Sequence, residues 1–148
     1  MLFLVAIVAT TALALPAAPA EAASGCQTFP STPYWEDQRV ELVKVSNIAA
    51  CDRVMLVVRS EVEEYVWNYD TASWTQVSAG DMSQSDVSYQ RAEAVASCKG
   101  RGSGTRFRSR GRATGVWDYS YTSIDGPKWA TYYREFECTD GLRAVGGI

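Results

Sequence analysis

From Thr105 to Ala113 the chain alternates without a break. Thr105, Phe107, Ser109, Gly111 and Ala113 share one parity, and Arg106, Arg108, Arg110 and Arg112 take the other. Successive side chains of a strand point to opposite faces, so the run reads as a strand with one inward face and four guanidiniums on the other. Residues two apart on a strand lie about 6.7 Å apart, which makes the arginines a stripe about 20 Å long. A strand of this kind cannot stand alone; it needs a sheet.

The rest of the chain supplies candidates. Lys128 to Cys138 reads as a second strand, with Ala130, Tyr132, Phe136 and Cys138 on one face and Trp129, Thr131, Tyr133, Glu135 and Glu137 on the other. Asp125-Gly126-Pro127 marks a turn before it, and Gly100 to Gly104 a loop before the arginine strand. Arg39 to Ser46 and Arg53 to Val62 are rich in β-branched residues. In the latter, Val54, Leu56, Val58 and Val62 share the expected core face, and after Glu63-Glu64 the apolar phase slips to Tyr65, Trp67 and Tyr69, as at a β-bulge. A helix over Val54 to Trp67 is the alternative, disfavoured by five valines. Trp74 to Ser78 is a short strand and Gly80 to Ser88 a polar loop. Arg91 to Cys98 reads as a strand with Ala92, Ala94 and Ala96 inside, in preference to an Ala-rich helix. About seven short antiparallel strands in one chain of this length predict an all-β domain, a β-sandwich.

A resemblance points the same way. Ser31-Thr32-Pro33 after the first cysteine, a strand region ending near Cys51, Cys98 followed by Gly104-Thr105-Arg106-Phe107-Arg108, and a last strand closing on Cys138 resemble a group of small secreted actinobacterial proteins with predicted immunoglobulin-like sandwiches. The resemblance implies a fold and no activity.

The first residues are of another character. Leu2 to Ala20 carries no charge, Leu2 to Leu15 is almost wholly apolar, and Pro16 and Pro19 break the run before Glu21. This is the pattern of a secretory signal helix over residues 1–23, cleaved near 20–23, ahead of a single secreted domain at 24–148. An uncleaved anchor would need about 20 apolar residues without such prolines. Lipidation at Cys26 would strand one of the other three cysteines. Cys26, Cys51, Cys98 and Cys138 are spaced by 25, 47 and 40 residues, which excludes Cys-x-x-Cys metal and redox motifs. Export favours two disulfides. Three connectivities are open, and we favour Cys26–Cys51 with Cys98–Cys138, joining neighbours along the chain. Closing loops of those lengths is worth about 3.5 and 4 kcal/mol as upper values.

The chain has no histidine, so Ser-His and Cys-His nucleophilic pairs and histidine-containing zinc sites are excluded. No phosphate loop, calcium loop or Asn-x-Ser/Thr site occurs. Charge is unevenly placed: residues 24–97 hold 5 basic and 11 acidic side chains, residues 98–148 hold 9 and 5. Guanidiniums on a stripe suit phosphate or carboxylate groups, unless Glu61, Glu63, Glu135 and Glu137 lie beside them as cross-strand partners. Trp117, Tyr119, Tyr121, Trp129, Tyr132 and Tyr133 crowd into 17 positions and offer rings for stacking, or core. Carboxylates two apart, Glu61 with Glu63 and Glu135 with Glu137, approach the spacing of inverting glycosidases, but neighbouring arginines would keep them ionised. The expectation is a non-catalytic extracellular binding domain without cofactor or metal, and with no membrane attachment after cleavage. Its partner is an anionic polymer or glycan, held through Arg106, Arg108, Arg110, Arg112, Trp117, Tyr119, Tyr121 and Trp129. The alternative is a protein-directed module, such as an inhibitor of an extracellular enzyme, acting through a loop over residues 117–127.

Overall fold

A computed structural model describes residues 25–140; the expected signal helix lies outside them. The described residues form seven strands, β1 (Cys26–Pro30), β2 (Tyr34–Asp37), β3 (Leu42–Asn68), β4 (Ser73–Ser97), β5 (Arg101–Asp118), β6 (Tyr121–Trp129) and β7 (Arg134–Asp140). All pairings are antiparallel, and the described residues contain no helix. The all-β expectation holds. β3 is the spine, paired with β1, β2, β4 and β5, while β5 also carries β6 and β7.

With 27 residues, β3 would extend about 90 Å if straight. It does not. Ser60 Oγ donates to the Asn47 carbonyl at 2.9 Å, a pair that a straight strand would hold about 43 Å apart. Val45 and Val62, from the two arms of β3, share one buried cluster with Ala92 and Ala94 of β4. The spine therefore folds back, and the ladder to β4 lapses between Ala50 and Met55, at the bend. β4 follows it so closely that a Cβ on Gly80 would strike the Glu93 carbonyl.

Two further clusters fill the space between the arms. One gathers Val43, Val66, Ala96, Phe107 and Phe136 around Cys98 and Cys138, with Trp35 edge-on to Phe136 at 4.9 Å. The other gathers Ala49, Met55, Val58 and Ala113 around Cys26. Burial of each large apolar side chain contributes about 1.5–3 kcal/mol. Both favoured disulfides form, Cys26–Cys51 across a β1–β3 rung and Cys98–Cys138 between the end of β4 and β7. On its other side β1 meets β6: Ser123 Oγ accepts from the Cys26 amide at 2.8 Å, and Asp125 Oδ2 from the Thr28 amide at 2.7 Å.

Several sequence expectations need correction. The strand expected from Arg39 begins at Leu42, because Gln38 to Glu41 turn the chain and Glu41 takes φ 55°. Arg53 to Val62 is strand and not helix, and Val58 and Val62 are buried as expected, but Val54 and Leu56 are exposed while Met55 is buried, because the inward side changes parity only after Met55, across the exposed pair Leu56-Val57. The bulge expected at Glu63-Glu64 lies in β4 instead: the ladder steps from Glu64–Ser78 to Tyr65–Gln76, leaving Val77 unopposed. β3 keeps its phase against β5, so Glu64 and Val66 stay inside.

Gly80 to Ser88 is not a loop but the middle of β4. Arg91 to Ser97 is strand, with all three alanines buried. β5 begins at Arg101, inside the expected glycine loop, with Gly102 and Gly104 at positive φ. The long loop expected over 117–127 is a two-residue hairpin turn, Tyr119-Ser120, followed by β6. Asp118 Oδ1 fixes it by accepting from the Ser120 amide at 2.7 Å. Asp125-Gly126-Pro127 is a bulge within β6. The strand expected over Lys128 to Cys138 is broken between Trp129 and Arg134. Residues 130–133 there pass only Arg108 and Ser109 of β5, so the extra length leaves the ladder and Tyr132 turns outward, 70% exposed.

Candidate binding face

The alternation read from the sequence sets the site. Thr105, Phe107, Ser109, Gly111 and Ala113 are all buried, which turns Arg106, Arg108, Arg110 and Arg112 to the outer face of β5. Opposite them stand the outward residues of β3, in the rungs Glu61–Arg112, Glu63–Arg110 and Tyr65–Arg108. On the other side, Trp129 of β6 is level with Arg110, and Glu135 of β7 with Arg106.

The arginines differ in what they meet. Arg106 pairs with Glu135 at 2.7 Å and lies over the rings of Tyr133 (5.2 Å) and Tyr69 (5.7 Å). Arg108 donates twice to the Ala130 carbonyl, at 2.9 and 3.1 Å, and covers Trp129 at 5.0 Å. Arg110 pairs with Glu63 at 2.7 Å and lies between Tyr65 (5.2 Å) and Trp129 (5.4 Å). The Arg112 guanidinium makes no ion pair or hydrogen bond among the described residues. Its rung partner Glu61 turns instead to Arg59 at 3.2 Å, which also holds Asp81 at 3.1 Å. Pairs this exposed contribute little to stability, and so do guanidinium–ring contacts near water.

The rings form a connected series. Trp67 and Trp74 meet at 5.3 Å, Trp74 reaches Trp129 (6.4 Å) and Tyr133 (6.2 Å), and Trp129 touches Tyr65 at 4.8 Å. Tyr65, Trp67, Tyr69 and Trp74 were not singled out as site residues from the sequence. The signal was present: Glu61, Glu63, Tyr65, Trp67 and Tyr69 share one parity, and a strand that pairs with an arginine face must place them together.

Electrostatics along the face favour charged forms. Burial raises the Glu63 carboxyl, but hydrogen bonds from Arg110 and from Tyr65 Oη (2.9 Å) outweigh it and hold Glu63 below the usual range. Glu137 accepts from Ser103 Oγ. On the inner side of β3, Glu64 is fully buried; one carboxylate oxygen accepts from Ser78 Oγ at 2.6 Å and the other has no partner among the described residues. Burial pushes its pKa to about 7, against the Ser78 hydrogen bond and the more distant Arg101.

The eight residues expected to bind thus separate into two groups. Arg106, Arg108, Arg110, Arg112 and Trp129 share the face. Trp117, Tyr119 and Tyr121 lie at the β5–β6 turn, where the Arg53 guanidinium sits 4.2 Å from the Trp117 ring and Tyr121 stands edge-on to it at 6.2 Å. They do not form one extended surface, because the turn intervenes and leaves Tyr119 wholly exposed. No family model, curated protein or solved structure matches the chain.

Proposed function

We propose that this chain is a secreted, non-catalytic binding domain whose outer β3–β5 face takes an extended glycan. One observation carries the reading: three arginines lie over rings of the face, Arg106 over Tyr69 and Tyr133, Arg108 over Trp129, and Arg110 over Trp129 and the buried Tyr65. Flat rings offer stacking surfaces, and the ion-paired guanidiniums and carboxylates between them offer donors and acceptors for hydroxyl groups. Arg106 and Arg110 are already matched by Glu135 and Glu63, which favours a glycan over a dense polyanion. The leader-like N-terminus and the two disulfides support export. The doubled-back spine and seven antiparallel strands support an immunoglobulin-like sandwich. A protein-directed module working through a long 117–127 loop has no such loop to use.

The test is retention of the domain in gels containing neutral or acidic polysaccharides, at low and high salt. Tyr133→Ala, which removes a half-exposed ring outside the core clusters, should weaken retention about tenfold. Binding should survive 0.5 M salt, since few counterions are released. Absence of retention on every polysaccharide would refute the reading.

A further inference from the structure

Beside Arg112 the face deepens into a groove of about 330 Å³, lined by Arg59, Glu61, Glu63, Asp81, Arg110, Arg112 and Pro127 over a floor that includes Gly80 and Gly111. Its shape follows from the β6 bulge. Gly111 opposes Lys128 and Ala113 opposes Asp125, so Gly126 and Pro127 together face Arg112 alone and leave the ladder. Gly126 permits this at φ 118°, where a Cβ would crowd the Arg112 backbone. Asp125 pins the bulge by accepting from the Thr28 amide (2.7 Å) and from Lys128 Nζ (3.1 Å). Burial alone would raise the Asp125 carboxyl, but these hydrogen bonds keep it low and hence charged. The groove is held open by the fold and does not wait for a ligand.

Its charges specify what enters. Three guanidiniums face three carboxylates, yet the matching is uneven: Arg110 takes Glu63, and Arg59 takes both Glu61 and Asp81. Among the described residues Arg112 is left with an unused donor fork. A single carboxylate satisfies that fork with two parallel hydrogen bonds. A phosphate monoester would bring a second negative charge, and a sulfate ester a bulkier tetrahedral head with three oxygens sharing one charge, against the three acidic side chains, and both gain less. Those acids accept well from hydroxyl groups. Pockets that hold small ligands begin at about 300 Å³, so the groove suits one sugar unit, next to the ring series at Arg110.

We infer that the groove beside Arg112 is a subsite for a carboxylate-bearing sugar unit, a uronic acid, within the glycan bound along the face. The inference rests on the glycan reading and adds its selectivity. Titration calorimetry would compare a uronic-acid oligosaccharide, its carboxyl-reduced neutral form and a sulfated analogue of the neutral form, on the wild-type chain and on Arg112→Gln. The wild type should bind the uronate about tenfold more tightly than either of the others. Arg112→Gln should abolish the preference, so that the uronate and neutral forms bind the variant with equal affinity. Equal wild-type affinity for uronate and neutral forms would overturn the subsite while leaving the glycan face standing. Preference for the sulfated form would overturn the carboxylate assignment. No binding of any of the three, with the fold intact by circular dichroism, would remove both readings.

Discussion

Replacing Glu64 by Gln isolates the cost of a buried carboxyl. Glu64 is fully buried between Ser78 of β4 and Ser109 of β5, and its carboxyl titrates near pH 7 in the folded chain because burial disfavours the anion. In the unfolded chain it titrates near 4.5. Between those values the folded state keeps a proton that the unfolded state has released. Stability from this group is therefore complete below pH 4.5 and is lost as pH rises through 7. The gap between 4.5 and about 7 corresponds to about 3 kcal/mol. Gln keeps the acceptor for Ser78 Oγ and cannot ionise. Its amide pays a constant cost for the unpartnered position, which cancels in a comparison across pH. Urea unfolding of both proteins at pH 4.5 and at pH 8 should show the difference between variant and wild type move by about 3 kcal/mol in favour of Gln at pH 8. The carboxyls of Glu63 and Asp125, held low, lose their contribution on acidification in both proteins and cancel as well. A difference that stays constant with pH would show that Glu64 ionises in contact with water, and the burial argument would fail.

Two further substitutions probe the packing beneath and beside the face. Gly111→Ala places a methyl group against the Asn47 side chain, which holds Ser60 Oγ and the Arg112 carbonyl at 3.1 and 3.0 Å. It should cost about 1–3 kcal/mol, read as a lower urea midpoint; an unchanged midpoint would mean that the two arms lie further apart than described. Arg108→Ser removes both donors to the Ala130 carbonyl and should cost about 1–2 kcal/mol, whereas Arg106→Ser, which breaks a pair with Glu135 and ring contacts that all face water, should cost clearly less. Equal losses in parallel thermal melts would contradict this ordering.

The parts of the fold legible in the sequence are those where one face is buried and the other wet. Thr105 to Ala113 could be read residue by residue because every inward position is small or apolar and every outward one is Arg. Gly80 to Ser88 could not, since most of that stretch is exposed on both sides and burial imposes no period on it. Val54 and Leu56 mislead because the inward side changes parity across Leu56-Val57, and their apolar character continues the pattern that holds only beyond that point. Asp125-Gly126-Pro127 has the composition of a turn, and a bulge uses the same chemistry. The true turn was marked only by Asp118 two residues before Ser120. As for the site, the arginine stripe and Trp129 were visible, but their partners were not. Which ring lies under which arginine depends on the registers of β5 with β3, β6 and β7, pairings between distant segments that local patterns do not fix.

The doubled-back spine has a consequence for how the molecule comes apart. Residues 42 to 97 are one hairpin whose two strands run through both arms, so neither arm owns its own sheet. Fraying at one end removes partners from a strand that continues into the other, and no local opening leaves a finished half behind. The hairpin has no natural seam: a proteolytic nick or an insertion within its strands damages both arms at once, whereas one in the exposed turn at residues 69–72, the turn at Tyr119-Ser120 or the segment at residues 130–133 interrupts only the periphery.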